Sequence, residues 1–172
     1  MAAFEPWLIG IDIDGTLVHD DGFLSKRVIE QVSRVRSLGH EVVIATGRAA
    51  ANAYPVIKDL GVSLNHSVCS NGAVTIRLED DHPRGYAMHD VKTFDPSEVL
   101  TELIEHLPNA HFAVEHADGS YRFHKPFPSY ALGDDNREAP LSELLEHPVS
   151  RVVVLSPDHD VDEFLGLMAK VG

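Results

Sequence analysis

The stretch Ile9-Gly10-Ile11-Asp12-Ile13-Asp14-Gly15-Thr16-Leu17 decides how the chain is read. The apolar run Leu8–Ile11 ends at Asp12, one Ile separates it from Asp14, and Gly15-Thr16 turn the chain away. A buried strand that stops at acidic residues and a Gly is how an α/β sheet presents acids at the carboxyl end of a strand, where such sheets bind ligands. Alternation with Ile13 would place both carboxylates on one side of a regular strand. Two acids so close repel unless a cation or a shared proton relieves them. A hard cation such as Mg²⁺, which takes oxygen ligands and keeps several waters, suits the pair.

Outward from that stretch the pattern repeats. Ser25 caps an expected helix to Leu38, with Val28, Ile29, Val32 and Val35 on one face and Gly39 as its stop. Glu41–Ala45 is an expected buried strand ending at Thr46-Gly47-Arg48. Ala49–Leu60 is an Ala-rich helix, kinked or restarted at Pro55. His66–Ser70 is a short third strand ending at Asn71-Gly72. Strands alternating with helices over so short a span imply βαβ units and a parallel sheet.

The polar, breaker-containing run Glu79-Asp80-Asp81-His82-Pro83 divides the chain into expected domains at 1–79 and 80–172. The second opens with a strand near Tyr86–His89. A helix follows from Asp95-Pro96, with Leu100, Leu103, Ile104 and Leu107 as its apolar face. A hairpin is expected around Asp118-Gly119, then a short helix at Leu141–Leu145, a strand at Val149–Leu155 and a last helix from Asp160.

Composition narrows the function. A net charge of −13 argues against non-specific binding to nucleic acid or to an anionic membrane. No apolar run reaches membrane-spanning length, and the N-terminus lacks the marks of a signal peptide. One cysteine, Cys69, rules out an intramolecular disulfide and suits a reducing cytoplasm; it reads as a small buried apolar residue. His111, His116 and His124 lack the spacing of zinc ligands.

Three ordered pieces carry a family resemblance: Asp12-Ile13-Asp14-Gly15-Thr16, then Ile44-Ala45-Thr46-Gly47-Arg48, then Ser70-Asn71-Gly72-Ala73. Together they resemble the haloacid dehalogenase-like (HAD) phosphatases of the Cof type. The resemblance implies an α/β fold: a partial Rossmann-like core, with the first three strands of its parallel sheet, and an inserted α/β cap domain that sets substrate choice. It implies a Mg²⁺-dependent phosphatase that hydrolyses a small phosphorylated metabolite, such as a sugar phosphate, through an aspartyl-phosphate. Asp12 matches the nucleophile and Asp14 the general acid/base, whose pKa burial beside another carboxylate would raise toward neutrality. The Asp12 side chain and the Asp14 backbone carbonyl match the Mg²⁺ ligands. Thr46 and Gly47 match donors to the phosphoryl oxygens, and Asn71 and Gly72 match a second loop at the mouth of the site.

Read alone, each piece has a plainer meaning. Thr46-Gly47 is an ordinary strand-ending turn, Asn71-Gly72 an ordinary tight-turn pair, and Arg48 either a solvated charge or a phosphate contact. Two features of the resembled family are missing after the cap: a Lys that offsets charge at the nucleophile, and a GDxxND-like acidic loop. Gly133-Asp134-Asp135-Asn136-Arg137 imitates that loop without a preceding buried strand and reads as a cap loop. The chain therefore reads as the front of such a phosphatase, ending within the cap. The alternative is a catalytically incompetent fragment or binding module of the same fold. The family's core order would leave the Asp12 strand as a sheet edge, an invitation to self-association.

Overall fold

A computed structural model describes residues 5–19, 21–61, 64–128, 131–133 and 135–169. Asp20, Asp134 of the 133–137 stretch and the Lys170–Gly172 end lie outside the described residues. The chain divides into two compact units, Met1–Val91 and Lys92–Gly172.

The first unit is a five-stranded sheet in the order β1 (Leu8–Ile11), β2 (Glu41–Ala45), β3 (His66–Cys69), β4 (Val74–Leu78), β5 (Tyr86–Val91). β1, β2 and β3 are parallel, with Ile11 opposite Ile44 and Ala45 opposite Val68. β4 and β5 complete the sheet as an antiparallel hairpin. Two crossover helices, α1 (Lys26–Ser37) and α2 (Ala50–Asp59), link the parallel strands. Successive right-handed crossovers between neighbouring strands put both helices on one face. Ile11, Val42, Ile44, Cys69, Val74 and Ile76 accordingly share a core with Val28, Val32, Ala53 and Ile57.

Local chemistry accounts for the helices. The Ser25 hydroxyl accepts the Val28 N–H, capping α1, and Arg34 and Arg36 sit in its last turn, where cations suit the helix dipole. Pro55 lies inside α2, which nonetheless runs unbroken from Ala50 to Asp59. Its missing N–H falls in the second turn, too near the start to split a helix whose Ala50, Ala53 and Ile57 are buried.

Two expectations change here. The break between units falls after Val91 rather than at 79–80. Glu79–Gly85 is the turn of the β4–β5 hairpin: Glu79 N–H donates to Gly85 C=O at 3.0 Å, and Gly85 N–H to His82 C=O at 2.7 Å. The strand at Tyr86 thus pairs back onto the first sheet instead of opening the second unit. β4 itself, Val-Thr-Ile-Arg-Leu, was not among the expected strands.

The second unit is a four-stranded sheet in the order β8 (Asn136–Glu138), β7 (Tyr121–Phe123), β6 (His111–Glu115), β9 (Arg151–Leu155). Its helices are α3 (Ser97–His106), α4 (Leu141–Leu144) and α5 (Val161–Met168). Leu100, Leu103 and Leu107 pack with Phe112, Val114 and Leu144 in one core. Asp95 Oδ1 accepts the Ser97 N–H at the start of α3, and Asp160 with Glu163 forms a reciprocal capping box on α5. The 133–137 stretch is not wholly a loop: Asn136 and Arg137 begin β8, an edge strand parallel to β7. No helix among the described residues is long and apolar enough to cross a membrane.

Candidate functional site

The parallel register brings three chain segments to one end of the first sheet. Because Ile11 stands opposite Ile44 and Ala45 opposite Val68, residues 12–14, 46–48 and 70–72 leave neighbouring strands side by side. This is the carboxyl end of the sheet, where α/β folds place ligands.

The first segment turns sharply. The Ile13 carbonyl accepts the N–H groups of Thr16, Leu17 and Val18 at 3.3, 2.9 and 3.0 Å. Gly15 supplies the positive φ of 69° that the turn requires. Ile13 is fully buried, an anchor contributing about 2 kcal/mol, while Asp12 and Asp14 on either side are exposed. The alternation expected of a strand survives, although β1 ends at Ile11 and a turn, not a strand, carries it. A cavity of about 610 Å³ lined by Gly15, Thr16, Leu17 and His19 opens beside this turn.

The second and third segments are fastened together by backbone. Thr46 N–H donates to Val68 C=O at 3.0 Å, Asn71 N–H to Thr46 C=O at 3.2 Å, and Ser70 N–H to Arg48 C=O at 2.8 Å. Ser70 and Asn71 take left-handed φ values of 51° and 54° to make these bonds. Asn tolerates that conformation, whereas Ser adopts it at a cost of about 1 kcal/mol. Ser70, buried and left-handed, ties the loop after β3 to Arg48, a contact that the Ser70-Asn71-Gly72-Ala73 motif does not by itself signal. Thr46 is buried, and its Oγ1 accepts the Arg48 N–H at 3.2 Å, which leaves the hydroxyl hydrogen free to donate elsewhere.

Arg48 closes the site. Its Nε donates to Asp14 Oδ2 at 2.9 Å and its Nη2 to Asp14 Oδ1 at 2.5 Å, a two-toothed fork across 34 positions of sequence. Nη1 also reaches the Asn52 carbonyl at the first turn of α2, at 3.4 Å. The hydrogen bond from Arg48 holds the Asp14 carboxyl below the usual carboxylate range. The Asp14 bond in turn strengthens the arginine's hold on its proton, with the Asp12 charge adding to it. This corrects the expectation for Asp14. It is exposed and paired with a cation, so its pKa moves down, not toward neutrality.

Asp12, Asp14, Thr46, Gly47, Arg48, Asn71 and Gly72 therefore all lie at one end of one sheet. Direct contacts join Asp14 to Arg48, Arg48 to Thr46, and Thr46 to Asn71. Asp12 belongs to the group through strand register and through its charge on Arg48. Cys69, fully buried, packs in the core of the first unit. His111 and His124 serve the second unit instead: His111 Nδ1 donates to Pro126 C=O at 2.6 Å, and His124 Nδ1 accepts the Phe112 N–H at 3.1 Å.

A hard divalent cation fits the donor set at Asp12 and Asp14. Among the described residues no group of three or more His, Cys, Asp or Glu side chains gathers to form a closed cage. Mg²⁺ is commonly held by one or two carboxylates, waters and substrate phosphate rather than by such a cage. The Arg48 fork takes both Asp14 carboxylate oxygens, which is compatible with the resemblance's assignment of such a cation to the Asp12 carboxylate and the Asp14 backbone carbonyl.

Comparison with known proteins identifies the family and the fold. A family model described as haloacid dehalogenase-like hydrolase matches residues 9–168. The chain is 25% identical over 178 residues to a 5-amino-6-(5-phospho-D-ribitylamino)uracil phosphatase of Bacillus subtilis, covering 97% of this chain and 62% of that protein. It is 34% identical over 119 residues to a phosphoglycolate phosphatase of Archaeoglobus fulgidus, covering 69% of this chain and 48% of that one. Among solved structures, a HAD subclass IIB sugar phosphatase superposes with a TM-score of 0.70 at 15% identity, covering 97% of this chain and 64% of its own. A haloacid dehalogenase-like hydrolase from B. subtilis gives 0.69 at 19% identity, covering 94% and 65%. The chain thus spans between about half and two thirds of these relatives' length.

Proposed function

Since the chain belongs to the haloacid dehalogenase-like hydrolase family, we propose that it serves a Mg²⁺-dependent phosphatase acting on a small phosphorylated metabolite, a sugar phosphate being the favoured class. The observation that carries this reading is the in-register meeting of Asp12 and Asp14 with Thr46 and Arg48 at the ends of adjacent parallel strands.

The residues divide the work as follows. An Asp12 carboxylate oxygen attacks phosphorus, and the bond from phosphorus to the ester oxygen breaks with its electron pair on the leaving alkoxide. Asp14, once off Arg48 and carrying a proton taken up from solvent, gives that proton to the alkoxide. Asp14 then takes a proton from water as that water attacks the aspartyl-phosphate. The bond from phosphorus to Asp12 oxygen breaks, the carboxylate is restored and phosphate is released. The Thr46 hydroxyl and Gly47 N–H donate to phosphoryl oxygens where negative charge gathers, Arg48 is their cationic partner, and the Asn71-Gly72 loop lines the mouth. Mg²⁺ held at Asp12 and the Asp14 carbonyl would offset the repulsion between the attacking carboxylate and the phosphoryl group. A cytoplasmic location goes with this reading, given one cysteine, buried at Cys69.

The test is Mg²⁺-dependent release of phosphate from generic phosphomonoesters. It should vanish in Asp12→Asn; undiminished turnover in that variant rejects Asp12 as nucleophile. A second reading is a binding module without turnover. It is favoured by the two-carboxylate donor set, no group of three or more possible metal ligands gathering among the described residues. Phosphate or Mg²⁺ binding without hydrolysis would select it.

A further inference from the structure

The Arg48–Asp14 fork occupies the two groups that the proposed reaction needs elsewhere. Asp14 must turn to the leaving oxygen, and Arg48 is a guanidinium bonded to Asp14 and influenced by the Asp12 charge. The fork is not a buried structural pair: the side chains are 29% exposed at Arg48 and 59% at Asp14. An exposed ion pair of this kind is worth little to the fold, so it can be exchanged cheaply. What holds Arg48 in place without Asp14 is the rest of its surroundings. Its N–H donates to Thr46 Oγ1, its carbonyl accepts from Ser70, and its Nη1 reaches Asn52 C=O. The backbone of Arg48 is therefore fixed while the far end of its side chain has an exchangeable partner.

We propose that Arg48 is a positioning residue that trades partners: it holds the Asp14 carboxylate while the site is empty and passes its Nε and Nη2 donors to the oxygens of an arriving phosphoryl dianion, which frees Asp14 to turn toward the leaving group. The same planar fork matches a carboxylate and a phosphoryl group. A doubly charged phosphoryl group beside the Thr46 hydroxyl outcompetes a solvent-exposed monoanion for that fork. The inference rests on the phosphoryl-binding reading above and adds a sequence of events: Asp14 is restrained until the phosphoryl group is seated. Asp14 and the phosphoryl group then compete for one cation, so each weakens the other's hold on Arg48.

Inorganic phosphate with Mg²⁺ is the probe, and no turnover is required. In ¹⁵N spectra of the unaltered chain the Arg48 Nε–H signal should move on phosphate addition. Asp14→Asn should bind phosphate about tenfold more tightly, since a competitor for the arginine is gone. That gain should disappear in Arg48→Met/Asp14→Asn measured against Arg48→Met alone, because loss of a negative charge near phosphate would persist in both backgrounds whereas loss of competition would not. Phosphate binding that leaves the Arg48 signal in place, or a gain that survives in the Arg48→Met background, overturns the exchange and leaves the phosphatase reading standing. Failure of phosphate to bind at all overturns the exchange together with the phosphoryl assignment of the 46–48 loop. Loss of turnover in Asp12→Asn remains a separate test of the chemistry.

Discussion

A side-chain carbon placed on Gly47 would stand 2.8 Å from Asn71 Oδ1, so the loop after β2 and the loop after β3 touch at a point where only hydrogen fits. The clashing atom is the far end of the Asn71 side chain, which can swing aside while its backbone stays tied through its N–H to the Thr46 carbonyl. Gly47→Ala should therefore push the Asn71 side chain out of its place against the 46–48 loop. The expected stability cost is about 1 kcal/mol, typical of overpacking. Displaced phosphoryl donors should cost far more in turnover, about tenfold or beyond in kcat/KM. Thermal unfolding beside phosphate-release kinetics separates the two effects; equal activity in Gly47→Ala would show that the loop contact does not position the donors.

The buried acid of the second unit has a different role. Glu115 on β6 is 1% exposed at its side chain and Arg151 on β9 is 18% exposed, with Arg151 Nε 3.2 Å from Glu115 Oε2. Arg151 also donates to the Tyr121 hydroxyl and lies over its ring at 5.8 Å. Burial raises the Tyr121 pKa, and the nearby Glu115 charge adds to the rise, so Tyr121 stays a neutral hydroxyl. Removing the acid strands the guanidinium in a poorly solvated place. Glu115→Ala should destabilise the second unit by about 3 kcal/mol. Paired replacement of Glu115 and Arg151 by apolar residues of similar size should recover much of that loss. Chemical denaturation of both variants checks it.

Acid should loosen the second unit before the first. Burial pushes the His116 imidazole below its usual 6.5, with the Arg122 charge acting in the same direction. Burial likewise lowers His124, packed against Phe112. A base with a depressed folded pKa binds its proton more readily in the unfolded chain. Its contribution to stability is present above about pH 6.5 and is lost as pH falls from there through the lower folded-state pKa. Urea midpoints should therefore drop between pH 7.5 and 5.5, and His124→Gln should shrink the drop. Asp14, held low by Arg48, adds a further loss only when pH falls through the carboxylate range.

How far the sequence could be read depended on whether the deciding contact was local. Leu8–Ile11 and Glu41–Ala45 announced strands because an apolar run ends at Gly and polar residues, and that placed Asp12, Asp14, Thr46 and Asn71 at strand ends. Val74–Leu78 alternates apolar and polar residues as a half-buried strand should, yet its shortness and the turn-like Asn71-Gly72 before it hid it. Missing β4 then misplaced β5, because the polar Glu79–Pro83 run looks the same as a linker or as a hairpin turn. Only the Leu78–Tyr86 pairing distinguishes them. The Arg48–Asp14 fork had no signal at all. It spans 34 positions and depends on a strand register, so Asp14 was read as buried beside a like charge when it is exposed beside an opposite one.

Among the described residues β1 is at the edge of its sheet. Leu8 is 74% exposed and Trp7 69%. Register places Leu8 and Gly10 on the face of Glu41, Val43, Ala45 and Val68, opposite the helices, and none of these residues belongs to the unit's apolar core. Parallel sheets are normally covered on both faces, and an unpaired apolar edge strand is a template for a second chain. The 172-residue chain should therefore self-associate through β1, against the repulsion of its −13 charge, and more strongly as salt screens that charge. Light scattering after size exclusion should show a mass above that of the monomer, rising with protein concentration and ionic strength. Leu8→Lys, at an exposed position, should shift the population to monomer with little change in melting temperature. A monomer at every concentration and salt would mean that the β1 edge is protected by something other than a second copy.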